Sequence, residues 1–153
     1  MIQRHEVLFK QIETYRNEIL SVIEDITDKD AERIPKGFNN NIRWNLGHIL
    51  LDQYLWIITL TKDSLPISPD YKAWFGFGTS PSDFTEKTPS LSELKQLLIA
   101  QPNEIKMHYG NKLDVTFPPI EMGLYTIEQV LIRTIFHEGM HLQTIIDIRK
   151  LLN

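Results

Sequence analysis

The sequence predicts an all-α fold, a four-helix bundle with a long crossover between the second and third helices. Three observations carry this expectation. Of four helical segments, the first and last place apolar residues at steps of three and four, the second is apolar almost all round, and the third opens on capping-box spacing. No segment shows a convincing alternation of apolar and polar residues, the mark of a half-buried strand. Between residues 63 and 89, Pro66, Pro69, Pro81 and Pro89 together with Gly76 and Gly78 interrupt any period, as expected of a connection. A chain of 153 residues, 42% hydrophobic and 24% charged, suits one globular domain over residues 1–153.

The first helix is expected over residues 2 to 26, where Leu8, Ile12, Tyr15, Ile19, Ile23 and Ile26 form the apolar stripe. Asp28 to Asn41 then reads as a loop, with Pro35, Gly37 and the run Asn39, Asn40 and Asn41. Its last Asn residues can cap a second helix from Ile42 to about Thr61. That helix, "LGHILLDQYLWIITL" at its centre, is apolar almost all round, which suits burial between neighbours. Ser90 and Glu93 stand at capping-box spacing and open a third helix reaching Tyr109, with Pro102 kinking or interrupting it. Thr126 and Gln129 repeat that spacing and open a fourth helix, which runs to Leu151.

Charge and composition narrow the function. The net charge is -4 and the longest Lys/Arg block is Arg149-Lys150, so neither nucleic acid nor an anionic membrane surface is an expected partner. No run of eighteen apolar residues occurs, and Arg4, His5, Glu6, Lys10 and Glu13 occupy the place of a signal peptide's apolar centre. The expected location is the cytoplasm. Cysteine is absent, so a bound metal would rest on His, Asp or Glu.

The chemistry-bearing stretch is "IFHEGMHLQTI", residues 135 to 145. On a helix, His137 and His141 project from one face and can share a metal, with Glu138 between them as a candidate general base. The stripe Ile127, Val130 or Leu131, Thr134, His137, His141, Ile145, Ile148 and Leu152 turns both histidines toward the core. A zinc protease of this pattern takes a further ligand downstream, yet after His141 only Asp147 is acidic and no histidine follows. Protease chemistry is therefore the least favoured reading. On the second helix His48 also faces inward, along a stripe with Trp44, Asp52, Leu55 and Ile58. A single inward histidine is usually satisfied by a hydrogen bond. Three buried together need partners, and one cation satisfies all three. His5, near a terminus, and His108, near a helix end, read as solvated bystanders. Gly139 beside the pair suggests a close approach to the backbone.

"WNLGHI", the proline-rich crossover with "FGFGTSP", and "HEGMH" on the last helix together resemble the DinB-like superfamily, over residues 5 to 151. The resemblance implies a four-helix bundle in which His48, His137 and His141 bind one divalent metal. That family often continues after the second histidine of the pair with x-Gly-Gln, whereas here Gln143 and Thr144 follow Leu142. Characterised members include transferases and isomerases using low-molecular-weight thiols, and others are described as hydrolases. The resemblance thus implies an enzyme acting on a small molecule.

Three neutral imidazoles leave a coordination position open, where an ion can activate water or hold a thiol co-substrate. The expected activity is therefore that of a metal-dependent hydrolase or S-transferase, with a non-catalytic metal-binding or structural bundle as the alternative. Zinc or nickel is expected first and iron next. Asp52 is a candidate acceptor for a ligand imidazole. Tyr71, Trp74, Phe75 and Phe77 either wall an apolar pocket or pin the crossover to the helices. A homodimer is an open expectation.

Overall fold

The computed structural model describes residues 1–152 and is all-helical over them. Four long helices carry the architecture: α1 (Gln3–Val22), α3 (Ile42–Thr61), α5 (Leu91–Tyr109) and α6 (Ile127–Lys150). Two single-turn helices, α2 (Asp28–Glu32) and α4 (Tyr71–Phe75), lie in the connections, with 3₁₀ turns at Pro81–Asp83 and Glu121–Gly123. α3 packs against α5 and α6, and α1 packs against the same two helices. This is a four-helix bundle with α3 at its most buried position. The apolar circumference of α3 is accounted for by thirteen buried residues, including Leu46, Ile49, Leu50, Leu51, Ile57 and Leu60.

Side-chain caps fix three of the helix starts. Asn41 Oδ1 accepts from Trp44 N at 2.8 Å and begins α3. Ser90 with Glu93, and Thr126 with Gln129, form the two capping boxes expected from their spacing. Each satisfies backbone N–H groups that the first helical turn leaves unpaired. α1 ends earlier than its apolar stripe suggests, at Val22 instead of residue 26. Beyond it Thr27 accepts from Asp30 N and restarts the chain as α2, so one helical turn occupies the stretch read as loop. The crossover likewise contains α4, with Tyr71, Trp74 and Phe75 buried against the bundle.

Pro102 sits inside α5, which runs through it unbroken. A proline removes the N–H that would bond the carbonyl four residues earlier, here that of Leu98. That carbonyl accepts instead from Arg16 Nη1 at 2.7 Å. Arg16 is only 1% exposed. Its Nε donates to Glu138 Oε1 at 2.6 Å, and its Nη2 donates to Gln53 Oε1 at 3.3 Å. Gln53 in turn donates to Thr134 Oγ1 at 3.1 Å. One buried polar layer therefore ties all four long helices together inside an otherwise apolar core, and its charged pair is satisfied on both sides.

Candidate metal centre

Four letters of "WNLGHI", Trp44, Asn45, Gly47 and His48, build the site at the N-terminal half of α3. Trp44 stacks on the His48 ring, with centroids 4.7 Å apart and planes within 9°, and its Nε1 donates to Thr79 Oγ1 at 2.9 Å. Gly47 lies directly beneath the Phe75 ring, where a Cβ would stand 2.3 Å from ring carbons. The missing side chain lets α4 close onto α3. That contact brings the Phe75 carbonyl to His48 Nδ1, 2.7 Å away.

His48, His137 and His141 converge, with one ligand atom from each lying within 4.8 Å of the others. His137 Nε2 is 3.2 Å from His48 Nε2 and 3.1 Å from His141 Nε2. The outward nitrogen of every ring has its own acceptor. His48 Nδ1 faces the Phe75 carbonyl, His137 Nδ1 faces Asp52 Oδ2 at 2.9 Å, and His141 Nδ1 faces Asn45 Oδ1 at 2.8 Å. The orientation of the Asn45 amide is fixed by its nitrogen, which donates to the Asn41 carbonyl at 2.8 Å. Three Nδ1–H donors directed at three oxygens place the Nε2 lone pairs against one another. Three acceptors at such distances repel unless a cation lies among them, and nitrogens each about 2.1 Å from one ion would be separated by a similar amount. The donor set can hold a metal ion.

Burial favours the neutral state of the His48 and His141 rings. The His141 imidazole is pushed down to about 3, chiefly by burial and next by its neighbours His48 and His137. Burial also lowers His48, partly offset by its bond to the Phe75 carbonyl. For Asp52, burial alone would push the carboxyl up, but the His137 hydrogen bond and nearby positive charge hold it below the usual carboxylate range. In chelator-treated protein this has a definite sign. Between about pH 3 and 6.5 the unfolded chain protonates a histidine that the folded chain keeps neutral. Stability is therefore complete above about pH 6.5 and is lost as the pH falls below it. The melting temperature of the metal-free protein is expected to decline steadily from pH 7 to pH 4; a flat profile would contradict the burial of these rings.

The histidines open onto a cavity of about 990 Å³ lined also by Asn39, Asn40, Trp56, Phe77, Arg133 and Met140. Of the crossover aromatics only Phe77 lines it. Tyr71, Trp74 and Phe75 instead form a ring cluster that pins the crossover to the bundle, with Tyr71 5.7 Å from both other rings. Glu138, expected beside the site as a general base, is buried and turned into its ion pair with Arg16. It lines a separate small recess with Tyr15, Glu18 and Ile19. Gly139 borders the same recess, and a Cβ there would meet nothing within 4 Å, so the expected close approach to its backbone is absent. His108 is exposed and bonded to the Glu104 carbonyl, as expected of a bystander. His5 is not solvated as its position suggested: it is 3% exposed, 3.6 Å from Glu128.

A family model of the DinB superfamily matches residues 11–145. The chain belongs to the DinB superfamily. No curated protein matches it. The matched span holds all three histidines together with Asn45, Gly47, Asp52 and Phe75. In this DinB-superfamily chain no helix among the described residues is long and apolar enough to cross a membrane.

The sequence pattern marks the three histidines and Asp52, but not Asn45 or the Phe75 carbonyl. Asn45 had a signal, an amide three residues before His48 on an otherwise apolar helix face. The carbonyl had none, because every residue supplies one.

Proposed function

We propose that this protein is a metal-dependent enzyme acting on a small molecule, with His48, His137 and His141 as the ligands of one divalent ion. The observation that carries the reading is the set of three Nε2 atoms brought together while every Nδ1 is committed to an oxygen. Asp52, Asn45 and the Phe75 carbonyl hold the rings in the tautomer that presents a lone pair inward. A divalent ion there would supply Lewis-acid activation of a water or of a thiol co-substrate. Borderline imidazole donors favour zinc or nickel, with iron next. The adjoining cavity, walled in part by Trp44 and Trp56, gives a small substrate room to enter. Hydrolysis and thiol transfer both fit this arrangement.

We assign Glu138 to the internal ion pair with Arg16 and not to proton transfer, because its carboxylate is engaged away from the cavity. A protease reading loses its base by the same assignment.

Elemental analysis of protein purified without added metal is expected to show close to one equivalent of a divalent metal, and His48→Ala should lose it. Because a metal held only by the native state stabilises the fold, chelation should lower the melting temperature of the wild type and leave His48→Ala unchanged. Equal metal content in wild type and His48→Ala would refute the ligand assignment.

A further inference from the structure

The cavity contains one cationic side chain whose hydrogen-bonding capacity the protein leaves largely unused. Arg133 lies one turn before His137 on α6, and its guanidinium carbon sits 4.3 Å from the centroid of the Trp56 ring. Its Nη1 donates to Asp52 Oδ2 at 3.2 Å, and among the described residues this is its single hydrogen bond. The other inward arginines differ. Arg16 and Arg43 each engage protein acceptors through Nε, Nη1 and Nη2. A guanidinium carries five N–H donors in a planar fork. That of Arg133 is fixed by an aromatic face and by one carboxylate, yet most of its donors remain for whatever occupies the cavity.

We propose that Arg133 recognises a carboxylate on the molecule that enters the histidine cavity, an inference that rests on reading the cavity as the substrate site of a metal centre. Asp52 offsets part of the Arg133 charge but engages only one of its N–H groups, so recognition rests on the remaining donors of the fork. Glu121 also lines the cavity but is exposed, so water and salt screen it strongly. The Arg133 side chain is only 24% exposed, and its field is screened less. His48, His137 and His141 are the remaining titratable groups on the wall. A planar fork lying over the Trp56 ring suits a planar acceptor with two oxygens, and a carboxylate offers that geometry. The ligand class is then a small carboxylic acid that also bears a metal-seeking thiol or oxygen.

The alternative is that Arg133 only steadies Asp52, and a ratio of affinities separates the two. Cobalt-loaded protein is titrated with 3-mercaptopropionate and with neutral 3-mercaptopropan-1-ol, both followed by the thiolate-to-cobalt absorption band. Wild type should prefer the acid by about tenfold or more, as expected for a charge-assisted pair. Arg133→Gln should bring the ratio near one, and Arg133→Lys should keep part of it. A steadying role would weaken both ligands equally in Arg133→Gln and leave their ratio intact; that result, or a wild type without preference, overturns the proposal. Should the protein take up no cobalt, the metal reading fails by itself. The carboxylate site is then tested on metal-free protein through the Arg133 Nε–H resonance, identified by its loss in Arg133→Gln. A shift with propionate but not with propionamide supports recognition, and equal responses or none reject it.

Discussion

Glu138→Gln is expected to destabilise the protein by about 3–5 kcal/mol while leaving metal uptake in place, the cost typical of breaking one side of a buried ion pair. Gln nearly preserves the volume of Glu, so no cavity opens and the loss reports the charge. Arg16 would remain 1% exposed with its positive charge facing a neutral amide, the Leu98 carbonyl and the Gln53 amide oxygen. Urea unfolding followed by circular dichroism measures the effect directly as a lower midpoint at unchanged slope. Arg16→Met combined with Glu138→Leu should recover much of the stability, because apolar pairs of similar volume often replace buried ion pairs at little cost. The same variants decide the role of the glutamate in "HEGMH". A Glu138→Gln protein with native stability and turnover reduced a hundredfold would restore it as a base.

The parts of this molecule that were legible in its sequence are those set by local chemistry. The starts of α3, α5 and α6 follow from Asn41, Ser90 with Glu93, and Thr126 with Gln129, each of which bonds within its own first turn. His137 and His141 share a face because they are four apart, and the inward stripe of α3 places His48 opposite them. What stayed hidden depends on distant partners. Arg16 stands on a helix rich in charge, where nothing local marks it as buried; its burial follows from Glu138, 122 positions away, and from a carbonyl that Pro102 sets free. The extent of α1 was overread because an apolar stripe continues past the point where the backbone turns. The close approach expected at Gly139 is absent since mid-helix glycine has the same letter whether a neighbour presses on it or, as here, open space lies beside it. Gly47, which is pressed, carries no local mark of it, because the ring above it comes from Phe75.

That pressed glycine gives the second large effect. Gly47→Ala is expected to damage the metal centre without touching a ligand. The new methyl carbon would lie 2.3 Å from Phe75 ring carbons, far inside van der Waals contact. The Phe75 side chain is fully buried and wedged among Tyr71, Trp74 and Phe84, so it has no room to rotate away. Relief requires α4 to lift from α3, and overpacking of this kind typically costs about 1–3 kcal/mol or more. As α4 moves, its last residue carries the carbonyl away from His48 Nδ1. The imidazole then loses the acceptor that fixes its tautomer, and loss of such an outer partner typically weakens metal affinity by about 10–100-fold. The substitution should thus lower both the melting temperature and the affinity for zinc, measured by competition with a chromophoric chelator. Gly47→Ala with Phe75→Leu separates the two causes: removing the ring relieves the clash, letting the crossover settle and returning the carbonyl toward His48. Recovery of zinc affinity in that double variant would trace the defect to the α3–α4 contact. A Gly47→Ala protein with wild-type affinity and stability would show that the Phe75 carbonyl does not govern His48.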